Sequence, residues 1–169
     1  MMFRMTARGG FEQSWRRTAT VAAGRAPTVE DTRASMALDL VGDPSVDEVQ
    51  LPSRPESASA ARRLTVSVLH LWGLGELAEN AELLVSELVG NAVRHTGART
   101  FGLRILRRRG WIRVEVRDPS RALPCLMPVT EQDTGGRGLF LVDRLSDRWG
   151  ADLLPRGKTT WFEMRVADH

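Results

Sequence analysis

Apolar residues recur at intervals of three and four in two stretches of the chain, which predicts two amphipathic helices. The first helix is expected to begin at an N-cap, Ser57, and to end before Gly73. Its apolar stripe consists of Ala61, Leu64, Val68 and Leu71. The second helix is expected to run from about residue 77 to residue 95, and Gly97 is placed to adopt the left-handed conformation that often ends a helix.

The second predicted helix carries a polar stripe formed by Glu87, Asn91 and His95, which are spaced four residues apart. Four residues rise roughly 6 Å along a helix and return to almost the same side, so the three side chains form one row. The positions beside this row are apolar: Ala81, Leu84, Leu88 and Ala92. A carboxylate and an amide at the border of a core need polar contacts, which points to a polar ligand or a metal ion.

Residues 100–118 alternate between apolar and other residues, which predicts a β-hairpin that turns at residues 107–110. The apolar face of its second strand consists of Ile112, Val114 and Val116. Asp118 continues that face, and a carboxylate at the end of a buried face needs a hydrogen-bond donor. Asp118 is therefore expected either to cap the turn before Pro119 or to contact a ligand.

Three further strands are predicted from shorter patterns. A short edge strand at residues 46–51 is closed by Pro52, and two strands at residues 149–154 and 158–166 lie at the end of the sequence. The apolar residues on one face of the last strand are Phe162, Met164 and Val166. Thr160 shares this face, so its hydroxyl group is expected to point inward.

A segment with three prolines and no hydrophobic period, residues 119–134, follows the hairpin. Residues 134–138, Thr-Gly-Gly-Arg-Gly, then lead into an apolar helix predicted at residues 139–145. Glycines at a helix entrance allow a ligand to approach the backbone, where free N–H groups can bind an anion such as phosphate. Glycines also serve as plain loop hinges, so this motif alone leaves both interpretations open.

Length and composition fit one domain. A chain of 169 residues with 42% hydrophobic residues can build a packed core. Residues 1–45 show no sustained hydrophobic period and are expected to be a disordered leader to a domain at residues 46–169. A single cysteine, Cys125, excludes an intramolecular disulfide and favours the cytoplasm. No apolar run approaches the roughly 20 residues that a membrane-spanning helix needs.

The order of these features resembles the Bergerat-fold (GHKL) ATPases, the superfamily of gyrase and the histidine kinases. The resemblance covers about residues 46–166. Residues 86–95, Ser-Glu-Leu-Val-Gly-Asn-Ala-Val-Arg-His, and residues 135–143, Gly-Gly-Arg-Gly-Leu-Phe-Leu-Val-Asp, are most similar to the anti-sigma regulatory factors, serine kinases of actinobacterial type. The resemblance implies a two-layer α/β sandwich with helices on one face of a mixed, mostly antiparallel sheet.

The resemblance also implies roles for individual residues. Asn91 would coordinate Mg²⁺ on the triphosphate of ATP, and Glu87 would be the base that accepts the proton of an attacking hydroxyl group. Asp118 would accept a hydrogen bond from the amino group of adenine, with Thr160 or Thr159 nearby. The lid over the phosphates would contain Gly136, Arg137, Gly138 and Leu139. A hard cation such as Mg²⁺ prefers oxygen ligands, which agrees with the role implied for Asn91.

Three functions remain open, in decreasing order of support. The first is an ATP-dependent serine/threonine kinase that phosphorylates a STAS-type anti-anti-sigma protein and, in another state, holds a sigma factor, with a homodimer as one arrangement. The second is a nucleotide-gated binding module without phosphotransfer, favoured because Pro119-Ser120 stands where the family has glycines. The third is nucleic-acid binding beside Trp111 through an arginine cluster that more often forms the solvated face of a hairpin: Arg104, Arg107, Arg108, Arg109 and Arg113.

Overall fold

The computed structural model describes residues 40–95, 97–119 and 137–167, together with residues 29, 32, 36 and 38. From residue 49 onward the helices of the described ranges are α1 (Glu56–Leu71), α2 (Ala78–His95) and α3 (Arg137–Leu145). A short 3₁₀ helix at Gly75–Leu77 precedes α2. The strands of these ranges are β1 (Val49–Pro52), β2 (Thr100–Arg108), β3 (Trp111–Asp118), β4 (Arg148–Leu153) and β5 (Lys158–Arg165).

The strands form one sheet with the order β1-β2-β3-β5-β4. Each pair of neighbours among them is antiparallel, so the predicted predominance of antiparallel pairing is confirmed and these strands contain no parallel pair. The β2–β3 hairpin turns at Arg109-Gly110, where Gly110 has a φ of 75°. Strand β1 lies at the edge of the sheet and ends at Pro52. Proline lacks a backbone N–H group, and such an edge position tolerates its absence.

The helices lie against one face of the sheet. Helix α2 packs on α1, on α3 and on the central strands β3 and β5, while α1 also contacts β1 and β2. The inward positions of the strands are apolar and buried, among them Leu103, Ile105, Val114 and Phe162. They belong to one core with the apolar residues of α2, which include Leu84, Val85, Leu88 and Val89. The predicted two-layer α/β sandwich is thereby confirmed.

Helix α1 begins earlier than the sequence pattern predicted. Its N-cap is Pro55 rather than Ser57, and Ser57 is buried within the first turn. The ring of Pro55 holds φ at −54°, which is a helical value, so the helix starts there without a polar side-chain cap. At the end of α2 the prediction is confirmed, because Gly97 has a φ of 58° in the left-handed region.

The predicted disordered leader does not extend to residue 45. The described residues between 29 and 41 are helical, and Leu38 is buried in the domain core with 7% of its surface exposed. The backbone N–H of Gly42 donates a 2.8 Å hydrogen bond to the carbonyl oxygen of Leu38. The sequence pattern did not reveal this contact because nearby apolar residues such as Met36 and Leu40 are exposed and share no face with Leu38. Residues 1–28 lie outside the described residues.

Candidate functional site

Helix α2 holds Glu87 and Asn91 at the border of the core, as its period predicted. Both residues are half-buried, whereas Leu84, Leu88 and Ala92 beside them are buried. Because α2 packs on β3 and β5, the row that contains Glu87 and Asn91 is fixed relative to the inward face of the sheet. The side chain of His95, the third member of the predicted row, lies outside the described residues.

The amide of Asn91 presents its oxygen as an acceptor. Nη2 of Arg94 donates a 3.2 Å hydrogen bond to Oδ1 of Asn91, one turn back along the same helix. An amide oxygen has two lone pairs, so Oδ1 can accept this bond and still coordinate a cation. Within the described part of the chain, the carboxylate of Glu87 has no hydrogen-bond or ion-pair partner.

Asp118 lies at the inward-facing end of β3, where the alternation of the hairpin predicted it. Only 3% of its surface is exposed. Its strand partner in the sheet is Lys158, the first residue of β5, which is itself 7% exposed. The Nζ atom of Lys158 lies 3.4 Å from each carboxylate oxygen of Asp118. Asp118 therefore belongs to a buried ion pair, which satisfies its need for a donor.

Sequence reasoning missed Lys158. The signal was present, because Lys158 stands two residues before Thr160 and therefore on the same face of the strand. It is also the only lysine in a chain whose other basic residues are 23 arginines. A lysine at the first residue of a strand suggests a solvated position. The pairing of β3 with β5 instead places Lys158 opposite Asp118, where both side chains are buried.

Thr160 rather than Thr159 shares the face of Asp118. Thr160 is 6% exposed and pairs with Val116 of β3 and Ala151 of β4, whose positions face the core. Thr159 is half-buried on the opposite face of the sheet, opposite Arg117. The sequence did not decide between Thr159 and Thr160 as the residue near Asp118. Only Thr160 lies with Asp118 under the helical layer.

Gly157 allows the loop before β5 to approach the end of β3. Its φ is 90°, in the left-handed region that favours glycine. A Cβ atom added at this position would overlap the carbonyl oxygen of Asp118 and would lie 2.6 Å from Cα of Pro119. Gly157 thus fixes the backbone that carries both members of the buried ion pair.

Replacing Gly157 with alanine is expected to destabilise the domain by more than about 2 kcal/mol, since a left-handed non-glycine residue already costs roughly 1–2 kcal/mol and the overlap adds to it. Urea denaturation followed by circular dichroism measures the change. Gly110→Ala is the matched control, because Gly110 has a φ of 75° and a Cβ there would have no neighbour within 4 Å. Equal losses at the two positions would contradict the close packing at Gly157.

The predicted lid is described in part. Gly136 lies outside the described residues, and α3 begins at Arg137, two residues before the predicted start of this helix at Leu139. The backbone of Arg137, Gly138 and Leu139 forms the first turn of α3, whereas their side chains lie outside the described residues. The first N–H groups of a helix have no partner within it, so this turn can bind an anion.

The described residues contain no group of three or more His, Cys, Asp or Glu side chains arranged to hold a metal ion. A Mg²⁺ ion that accompanies a triphosphate needs no such cluster, because phosphate oxygens and water supply most of its ligands. The single oxygen that Asn91 offers on a half-buried helix position fits this kind of coordination.

A cavity of about 370 Å³ opens at the end of the sheet beside Asp118. Its lining consists of Glu48, Gln50, Thr100, Phe101, Gly102, Arg117, Asp118, Pro119 and Arg156. Glu87 and Asn91 do not belong to this lining, so the cavity is separate from the row on α2. Among the predicted site residues that the structure describes, Asp118 lines this cavity.

Two of the five arginines proposed for nucleic-acid binding, Arg107 and Arg113, make side-chain contacts within the protein. Arg113 makes ion pairs with Glu115 at 2.7 Å, Asp152 at 3.0 Å and Glu163 at 3.2 Å. Two guanidinium groups lie over the ring of Trp111, that of Arg148 at 4.7 Å and that of Arg165 at 5.0 Å from its centroid. These contacts occupy the charge of Arg113 and the ring of Trp111, the aromatic group that stacking on a nucleic acid would require.

No helix within the described ranges has both the length and the apolar character needed to cross a membrane.

Comparison with known proteins gives one family and several structural relatives. Residues 51–164 match the family described as the histidine kinase-like ATPase domain. Among solved structures, the chain is similar to the histidine kinase domain of the blue-light activated histidine kinase of Erythrobacter litoralis EL346, with 22% sequence identity and a TM-score of 0.42. The similarity covers 89% of this chain and 80% of that chain. No curated protein matches.

Proposed function

Because this chain belongs to the histidine kinase-like ATPase domain family, we propose that it binds ATP with Mg²⁺ and acts as an anti-sigma factor that phosphorylates an anti-anti-sigma partner on serine or threonine. The observation that carries the proposal is the position of Glu87 and Asn91 in one half-buried row on α2, which packs on the two strands that hold Asp118 and Thr160. The proposal assigns a base, a cation ligand and a buried acceptor to one site.

Each part of a Mg²⁺–ATP complex, from the adenine base to the phosphates, has a candidate partner among the described residues. The buried carboxylate of Asp118 can accept a hydrogen bond from the amino group of adenine, and the Thr160 hydroxyl lies on the same face. Oδ1 of Asn91 would coordinate Mg²⁺, which neutralises charge on the phosphates when bound. The first turn of α3 at Arg137, Gly138 and Leu139 would cover the phosphates together with Gly136.

Glu87 would act as the general base in phosphotransfer. Its carboxylate accepts the proton of a serine or threonine hydroxyl of the partner as that oxygen forms a bond to the γ-phosphorus of ATP. The bond between the γ-phosphorus and the bridging oxygen breaks, and ADP leaves with the bonding electrons. A half-buried carboxylate with no ion-pair partner among the described residues is suited to take up this proton.

The second candidate is a nucleotide-gated binding module that regulates transcription by docking alone. The sequence Asp118-Pro119-Ser120 favours it, because Pro119 lacks the flexibility of the glycines that follow the aspartate elsewhere in the family. In both cases the partners are a sigma factor, a STAS-type protein or both, and all act in the cytoplasm. A homodimer is compatible with either function.

Phosphate transfer to a partner separates the two candidates. The purified protein would be incubated with Mg²⁺ and γ-labelled ATP together with STAS-type proteins encoded in the same genome. The proposal predicts label on a serine or threonine of at least one of them. Nucleotide-dependent binding of a partner with no transfer of label to any of them would contradict the kinase function and favour docking alone.

A further inference from the structure

Three residues that line the cavity at the end of the sheet form one row across its strands. Gln50 of β1, Gly102 of β2 and Arg117 of β3 are neighbours in the strand register. The residues that alternate with them, such as Leu51 and Leu103, are buried in the core. Because successive side chains of a strand point to opposite faces, this cross-strand row lies on the face that points away from the helices.

Gly102 leaves a hollow in the middle of this row, and the side chain of Glu48 lies in it. A Cβ atom at Gly102 would lie 2.5 Å from Cδ of Glu48, so the glycine makes room for the carboxylate. Nε2 of Gln50 donates a 2.6 Å hydrogen bond to Oε1 of Glu48. Nη1 of Arg117 lies 3.9 Å from Oε2, which is an ion pair beyond hydrogen-bond distance. Glu48 therefore draws Arg117 toward the cavity without using its N–H donors.

A second guanidinium group belongs to the same lining. Arg156 is exposed in the connection between β4 and β5, and among the described residues its side chain has no hydrogen-bond or ion-pair partner. The other carboxylate of the lining, Asp118, is paired with Lys158. Two guanidinium groups thus stand against the one carboxylate of Glu48, which leaves one positive charge. This balance favours a ligand that carries one negative charge.

The donors and the size of the cavity fit a small carboxylate. A guanidinium group presents parallel N–H donors that match the two oxygens of a carboxylate or of a phosphate. A phosphate group with two negative charges would exceed the single positive charge of the lining and would be repelled by Glu48. The volume of about 370 Å³ lies near the lower end of the range for ligand pockets, about 300–1,000 Å³.

We propose that this cavity binds the carboxylate group of a small organic acid or of a peptide C-terminus through the guanidinium groups of Arg117 and Arg156. The inference goes beyond the proposed function. It does not depend on ATP binding, because the residues that carry it lie on the face of the sheet opposite the helical layer.

NMR titration of the full chain without nucleotide tests the proposal with three probes: propionate, N-acetyl-alanyl-alanine, and the same dipeptide with an amidated C-terminus. Saturable shifts of the backbone N–H signals of Gly102 and Arg117 are expected with at least one of the two acids and not with the amidated dipeptide. Tighter binding of propionate would identify a free organic acid as the ligand, and tighter binding of the dipeptide acid would identify a peptide C-terminus. No saturable shift with either acid, or equal binding of the acid and amidated dipeptides, would overturn the proposal.

Inorganic phosphate tests the choice of a carboxylate. At a pH where it carries two negative charges, it is expected to bind more weakly than the better of the two acids, because Glu48 lies in the floor of the cavity. Tighter binding of phosphate than of either acid would overturn the assignment of a carboxylate ligand.

Arg156→Gln removes one guanidinium group from an exposed position, so the fold is expected to persist. The Kd of the acid that binds is expected to rise by at least about tenfold, the scale of one contact to a charged group. Arg109→Gln is the matched control, because Arg109 is exposed in the hairpin turn at the other end of β3 and does not line the cavity. Its Kd is expected to equal that of the natural protein. An unchanged Kd in Arg156→Gln, or equal losses in the two variants, would contradict the site.

Discussion

Glu87→Gln is expected to reduce phosphate transfer to the partner protein by about 10²- to 10⁴-fold, the range that a general base contributes. Glutamine has almost the shape of glutamate but cannot accept the proton of the attacking hydroxyl group. The half-buried position of Glu87 on α2 accommodates either side chain, so ATP binding is expected to persist. Transfer of labelled phosphate and titration of ATP, made on the same preparation, measure the two effects separately.

A matched control lies on the same helix. Glu79 is exposed in the first turn of α2, about two turns before Glu87, and Glu79→Gln removes the same charge. This variant is expected to transfer phosphate at the rate of the natural protein. Equal transfer by Glu79→Gln and Glu87→Gln would show that Glu87 is not the base.

Asp118→Asn is expected to destabilise the domain by about 3–5 kcal/mol, because removal of one charge from a buried ion pair is strongly destabilising. The ammonium of Lys158, which is 7% exposed, would lose the carboxylate that now lies 3.4 Å away. The variant is also expected to lose measurable ATP binding, because the Lys158 ammonium would hold the amide oxygen and leave the NH₂ group, a donor, facing the amino group of adenine. Urea denaturation and calorimetric titration measure the two losses.

The double variant Asp118→Asn/Lys158→Met separates the structural effect from the effect on binding. With both charges removed, the stability is expected to recover by more than half, because replacement of a buried ion pair by uncharged groups is often close to neutral. ATP binding is expected to remain absent. A double variant as unstable as Asp118→Asn would show that other contacts of Asp118 determine the stability. Full ATP binding by either variant would show that Asp118 does not bind the adenine base.

The features that the sequence predicted are those that depend on local periodicity. Helix α2 and the row of Glu87 and Asn91 follow from spacings within one helix. The inward positions of Asp118 and Thr160 follow from alternation within one strand, which continues to the strand ends. Each of these signals lies within about ten residues, so no knowledge of the tertiary structure is needed to recognise it.

The features that the sequence did not reveal depend on contacts between distant segments. The ion pair joins Asp118 to Lys158, forty residues further along the chain, through the register of β3 and β5. Leu38 joins the core without a repeating apolar pattern around it. The start of α1 was misplaced for a different reason, because the fixed backbone of Pro55 replaced the polar cap expected at Ser57.

The most direct test of the nucleotide site is isothermal titration of ATP into the full chain, with and without Mg²⁺, for the natural protein and for Asn91→Ala. Asn91 is half-buried on α2 and offers one oxygen, so alanine removes a cation ligand with little change in packing. Binding is expected to require Mg²⁺ and to weaken by at least about tenfold in the variant, as expected for the loss of one contact to a charged group. Binding that is equally tight without Mg²⁺, or unchanged in Asn91→Ala, would contradict the assignment of Asn91. No binding to the natural protein at high ATP concentration would contradict the site as a whole.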